Sequence, residues 1–181
     1  MNKLVYRFGV MGSSKTAQAL MCRFNYMQKG YKVLLAKPEV DTRSAKVTSR
    51  IGLEAECEAV KKEDNFFDLY NKILPDIIIV DECQFLTETQ VEQLKDLTEK
   101  VPVVCYGLLT NFQTRLFEGS KRLVELADDL EEIPSICKCG AKAKVNARII
   151  DGHVMHDGPE VMVGTENRYE ARCYHCFKKE K

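Results

Sequence analysis

At 181 residues the chain has room for one domain with a good core, or for a domain of about 130 residues plus a small appendage. Lys+Arg and Asp+Glu stand at 27 each, which excludes a global electrostatic pull toward nucleic acid or an anionic membrane and favours small or neutral partners. No apolar run approaches the roughly 20 residues of a membrane helix, and the N-terminus lacks the charged, apolar, small-residue succession of a secretory signal, so a cytoplasmic protein is expected.

The first element is a strand: "KLVYRF", residues 3–8, alternates and carries Val, Tyr and Phe. It runs into "FGVMGSSKT", which fits the phosphate-loop pattern G-x-x-x-x-G-K-[ST] at Gly9, Lys15 and Thr16 but has Ser14 where the second glycine belongs. Such a loop works because consecutive backbone N–H groups make an anion nest at a helix N-terminus, while Lys neutralises charge and Ser or Thr holds Mg²⁺. Glycine only permits that backbone. Either the chain at Ser14 avoids positive φ, with Gly12 absorbing the turn, or Ser14 is held in a conformation costing on the order of 1 kcal/mol. A helix follows, with Ala17, Leu20, Met21, Phe24 and Met27 or Gln28 as its apolar face and Gly30 as its stop.

Next comes the strand "KVLLAK", closed by Pro38, and then "EVDTRSAKVTSRIG", which has no period and reads as a loop whose arginines can reach a ligand. A mixed segment gives a strand and a helix to about Leu74. "PDIIIVDECQF" holds four consecutive β-branched residues, the signature of a strand covered on both faces, and delivers Asp81 and Glu82 at its end. Adjacent carboxylates there point to opposite sides and can divide the work, one on a metal and one toward a substrate. Thr87 and Gln90 form a capping box for a helix marked by Val91, Leu94 and Leu97, and "VPVVCYG" is another buried strand. Strands alternating with helices imply an α/β fold with a parallel sheet, whose ligand crevice lies beyond the C-terminal strand ends.

From about Ile133 the texture changes to paired cysteines with many Lys and Gly, and a boundary is placed there. Of the eight cysteines, Cys22, Cys57, Cys83 and Cys105 are scattered, whereas Cys137-x-Cys139 and Cys173-x-x-Cys176 form two close pairs 33 residues apart. Two such pairs are the ligand economy of a closed, structural thiolate zinc site; His175 is the alternative to the fourth cysteine. The segment between them, "DGHVMHDGPEVMVGTENRY", is anchored at both ends and reads as a lid or substrate clamp. His153 and His156 flank an Asp-Gly turn and are expected to face solvent.

Taken in order, "VMGSSKT", "KPEVDTR", "SRIGL", "VDECQFL", "CYGLLTNF" with Arg115 and Phe117, "ICKCG" and "VGTENRYEARCYHC" resemble the thymidine kinase family of the two-domain cellular and bacterial type, over nearly the whole chain. The resemblance implies a RecA-like P-loop sheet flanked by helices over residues 1–132, and a small zinc-ribbon-like domain over 133–181 whose lasso loop covers the nucleoside. It implies ATP-dependent phosphorylation of thymidine, ATP, Mg²⁺ and structural Zn²⁺ as cofactors, a homotetramer, and feedback inhibition by dTTP. Carried over by motif, Gly9, Gly12, Ser13, Ser14, Lys15 and Thr16 would cradle the phosphates, with Thr16 and Asp81 serving Mg²⁺. Glu82 would be the general base, Arg43 would stabilise the moving phosphoryl group, and Lys15 would hold the β- and γ-phosphates. Met11, Phe85, Leu108 and Phe112 would surround base and sugar, and Asn146, Met162 and Tyr169 would complete the pocket. Zinc would be held by Cys137, Cys139, Cys173 and Cys176. Ser14, Leu109 and Asn146 depart from the family pattern; the last two bear on base selectivity. The alternative readings are a zinc-ribbon nucleic-acid-dependent ATPase, or a nucleotide sensor whose loop Ser14 has disabled.

Overall fold

The computed structural model describes residues 1–39, 46–159 and 168–179. Arg43 and Met162 therefore lie outside the described residues, as do residues 160–167 of the lasso segment.

Strand β1 (Leu4–Phe8) leads through the phosphate-loop sequence into helix α1 (Lys15–Gln28), and β2 (Val33–Pro38) returns to the sheet. Lys46–Thr48 (β3), in the stretch expected to be a loop, pairs with Glu54–Glu56 (β4), in the mixed segment after it, as a small antiparallel hairpin. Its strands have only three residues each, too short for a period to show in the sequence, yet Val47 is buried against α1's side of the molecule. Then come β5 (Glu58–Val60), α2 (Phe66–Ile73), β6 (Ile77–Val80), a 3-10 turn over Cys83–Phe85, α3 (Glu88–Leu97) and β7 (Val103–Gly107). The Thr87–Gln90 box closes in both directions at the start of α3. Helix α4 (Glu118–Leu126) and strand β8 (Asp129–Glu132) complete this half; neither was legible in the charge-rich "FEGSKRLVELADDLEE".

The six long-range strands form one sheet in the order β5-β2-β6-β7-β1-β8, with every pairing parallel. The β6 run explains the layering. Ile77 and Ile79 face the α1 side with Leu20, Leu35 and Tyr106, while Ile78 and Val80 face the other side with Phe66, Val91, Leu94 and Leu123. Both faces are covered, as an all-parallel sheet requires. On α1, only Ala17, Ala19 and Leu20 of the apolar residues are buried; Met21, Phe24 and Met27 of the expected core face are 48–58% exposed. The sheet takes a narrower stripe than the sequence offers.

Beyond Ile133, β9 (Val145–Ile150) is the centre of a three-stranded antiparallel sheet with β10 (His153–Met155) and β11 (Arg168–Arg172), followed by α5 (Tyr174–Lys179). Val145, Ala147, Ile149, Val154 and Phe177 make its own small core. His153 is exposed as expected, but His156 is not: its ring packs 4.6 Å from that of Phe177, with Nε2 buried.

Candidate active site

The loop after β1 and the carboxylates after β6 meet although β7 lies between their strands. Gly107 at the end of β7 makes this possible: a side-chain carbon there would fall 2.6 Å from both Cys83 Sγ and Gln84 Oε1, so only glycine lets the turn after β6 fold across the strand end. The loop answers the question raised by Ser14. Its backbone is left-handed (φ 62°, ψ 15°), and Gly12 is also at positive φ (78°). The nest is thus built with a serine in a conformation that glycine ordinarily supplies.

Thr16 Oγ1 donates to Asp81 Oδ2 at 3.0 Å, joining the start of α1 to the end of β6. Asp81 is 3% exposed, and burial first, then the neighbouring Glu82 charge, push its carboxyl up to about 6. A buried, oxygen-rich pair of hydroxyl and carboxylate suits a hard divalent cation that keeps most of its water shell. Lys15 is buried too; its Nζ donates to Val10 O at 2.7 Å and Ser13 Oγ at 3.3 Å. Burial lowers its pKa, opposed by the Glu82 and Asp81 charges.

Glu82 is a second non-glycine residue in the left-handed region (φ 54°, ψ 35°). Such backbone strain, of order 1–3 kcal/mol, persists where surrounding structure over-determines it and gathers at functional sites. The over-determining contact is Gln84, 1% exposed, whose Nε2 donates to Glu82 Oε2 at 2.5 Å while its Oε1 accepts from Leu108 N at 3.0 Å. Leu108 O in turn accepts from Tyr6 and Ser120 hydroxyls. A buried chain of hydrogen bonds thus fixes the carboxylate direction and the Leu108 wall together. Gln84 lies inside "VDECQFL", but the sequence assigned it no role.

The cleft so formed measures about 270 Å³. Met11 through Ala17 line one side, Thr48 through Ile51 the other, and Glu82 and Leu108 close it. Of the remaining expected pocket residues, Phe112, Asn146 and Tyr169 gather beside it. Asn146 Oδ1 accepts from Met11 N at 2.7 Å, and its Nδ2 donates to Thr110 O at 3.0 Å, so this buried amide ties β9 to the phosphate loop. Arg148, 1% exposed, stacks 3.7 Å over the Phe112 ring and donates from Nε to the Tyr169 hydroxyl at 2.9 Å. A guanidinium between aromatic rings is a rigid link; nothing in the sequence singled out Arg148. Phe85 sits apart, edge-on to Phe117 at 5.6 Å.

The sulfurs of Cys137, Cys139, Cys173 and Cys176 all lie within 4.8 Å of one another, with Cys139 and Cys173 at 3.7 Å. Tetrahedral Zn–S bonds of 2.3 Å place sulfurs about 3.8 Å apart, so the donor set fits zinc. The backbone N–H groups of Cys139 and Cys173 hold the Cys137 thiol down at about 6, whereas hydrogen bonding with the Cys139 and Cys173 thiols pushes Cys176 up to about 12. A cation among them would hold all four as thiolates at this spacing.

The thymidine kinase family model matches residues 2–177. The thymidine kinase of Rhodopirellula baltica is 42% identical over 98% of this chain and 89% of its own length. Those of Pasteurella multocida and Haemophilus influenzae are 40% and 39% identical, over 96% of this chain and 95% and 94% of theirs. The matched span takes in the phosphate loop, the paired carboxylates and the positions of all four cysteines: this chain belongs to the thymidine kinase family.

Proposed function

We propose that the protein transfers the γ-phosphoryl group of ATP to the 5′-hydroxyl of thymidine, giving thymidine monophosphate and ADP. The observation that carries the reading is the convergence of Lys15, the Thr16–Asp81 pair and Glu82 on one cleft. Phosphoryl transfer asks a protein for positioning and charge neutralisation more than for covalent chemistry.

The loop N–H groups from Gly9 to Thr16 and Lys15 hold the triphosphate. Thr16 and Asp81 hold Mg²⁺, which supplies charge neutralisation on the phosphates when bound. Glu82 accepts the proton of the 5′-hydroxyl. Its Oε2 is engaged by Gln84, leaving Oε1 as the accepting atom. Met11 and Leu108 face the nucleoside, and Phe112 and Tyr169, braced by Arg148, support the wall behind it, with Asn146 and Met162 completing the pocket and Phe85 set back against Phe117, outside the lining of the open cleft. Arg43 stabilises the moving phosphoryl group.

Residues 1–132 act as the nucleotide-binding kinase domain and 133–181 as the zinc-holding domain that carries the lasso. Zinc is structural, since four cysteine ligands leave no open position. The protein works in the cytoplasm as a homotetramer inhibited by dTTP. The exposed α1 stripe of Met21, Phe24 and Met27, with Tyr31 beyond, is the kind of apolar face that contact between copies would cover. Among the described residues no helix is long and apolar enough to cross a membrane.

Incubation with labelled ATP, Mg²⁺ and a panel of deoxynucleosides tests the reading. Labelled thymidine monophosphate is expected, and no transfer to any nucleoside would refute it.

A further inference from the structure

The β3–β4 hairpin, which the sequence hid, is the wall of the cleft opposite the phosphate loop, and Arg50 stands at its tip. A carbon added to Gly12 would lie 3.8 Å from Arg50 Nη1, so the guanidinium hangs over the middle of the loop. The tip is firmly held. Ser49 N donates to Leu53 O at 2.8 Å, Gly52 N donates to Ser49 O at 3.1 Å, and Ser49 Oγ accepts from Leu53 N at 3.0 Å. Val47 and Ser49 are buried beneath it, at 1% and 6% exposure. Arg50 itself makes no ion pair or hydrogen bond among the described residues, although it lines the same cleft as the Glu82 carboxylate.

Charge separates this from an idle surface arginine. Counted by formal charge, Lys15 against Asp81 and Glu82 leaves this group of side chains net negative by one before any Mg²⁺ is bound. Arg50 brings the four groups to neutrality. Two cations facing each other across about 270 Å³ repel until an anion lies between them. Arginine's planar fork suits two phosphate oxygens at once.

We propose that Arg50 is a phosphate-binding residue of the nucleotide site, clamping the β- and γ-phosphates of the triphosphate from the side opposite Lys15. The assignment rests on the ATP-dependent reading above and gives Arg50, one of the arginines expected only to reach a ligand, a defined partner in the triphosphate.

The test compares wild type with Arg50→Gln and Arg50→Lys. For Arg50→Gln, kcat/KM for ATP falls 10- to 100-fold, the range expected for one charged hydrogen-bonding contact. Affinity for thymidine alone stays within twofold. Arg50→Lys, a point charge without the fork, recovers only part of the loss. Affinity for a non-hydrolysable ATP analogue, measured by calorimetry, falls at least 10-fold in Arg50→Gln, and this readout does not depend on the acceptor. A kcat/KM for ATP and an analogue affinity both within threefold of wild type would overturn the proposal, as would an equal loss of thymidine affinity, which would mark a structural role. A wild-type protein that makes no thymidine monophosphate would instead sink the thymidine reading, and the analogue affinities would still decide for or against Arg50.

Discussion

Asp81→Asn separates stability from function at one buried atom. Burial and the adjacent Glu82 charge hold the Asp81 carboxyl at about 6 against an ordinary 3.8. A folded pKa above the unfolded one means the native state binds the extra proton, so stability is lost as pH rises from about 4 through 6. Two units correspond to about 3 kcal/mol at pH 8 and to roughly half that at pH 5. Asparagine has the same shape and still accepts from Thr16 Oγ1, so it removes the charge while keeping the 3.0 Å contact. Without added Mg²⁺ the variant should therefore be more stable than wild type by about 1–3 kcal/mol at pH 8, or several degrees in Tm for a chain of this size. That gain should shrink by about half at pH 5. Mg²⁺ with nucleotide should stabilise wild type far more than the variant, and turnover of the variant should fall by roughly 10²-fold or more. Thermal melts across pH, paired with a kinase assay, read all three. A variant less stable than wild type at pH 8, or a gain indifferent to pH, would refute the electrostatic reasoning.

Glu82→Gln should lose roughly 10²-fold or more in turnover while still binding thymidine, as loss of a general base demands; wild-type turnover would remove that role. Ser14→Gly relieves a left-handed serine at φ 62° but frees the unfolded chain, so stability should change by between zero and a gain of about 1 kcal/mol with turnover retained. A loss above 1 kcal/mol by denaturant titration would show that Ser14 is held there by contacts of its own. Metal analysis should find about one zinc per chain, and Cys173→Ser should lower zinc content and the temperature at which the C-terminal sheet melts; zinc-free protein with unchanged melting would contradict the assignment. Phe24→Asp on the exposed α1 stripe should shift the protein to a smaller species in sedimentation at low micromolar concentration, and an unchanged species would move the subunit contact elsewhere.

The elements legible in the sequence were those whose signal is local. Four β-branched residues announce β6, alternation announces β1, and the reciprocal Thr87–Gln90 contacts announce α3. The β3–β4 hairpin has strands of three residues, and α4 with β8 lies in a charge-rich stretch, so neither shows a period. On α1 the apolar residues exceed what the sheet covers, and periodicity cannot tell a core face from a face left outward. The loop and carboxylates of the site carried their own motifs. Gln84 and Arg50 lay inside quoted motifs and Arg148 in none, but the role of each stayed hidden because its work depends on a partner 24, 36 or 38 positions away: Leu108 for Gln84, Phe112 for Arg148 and Gly12 for Arg50. Ser14 shows the converse. The departure was visible in the sequence, but only the backbone reveals that the nest keeps its shape with a serine in it.

The central claim is that phosphorus moves from ATP to the 5′-oxygen of thymidine. Thymidine carrying ¹⁸O at the 5′-position, incubated with the protein, Mg²⁺ and ATP labelled in the γ-phosphate, should yield thymidine monophosphate that retains both the heavy oxygen and the phosphate label, with ADP formed in equal amount. Label released as free phosphate with no nucleoside product, or a nucleotide product lacking the heavy oxygen, would contradict the account.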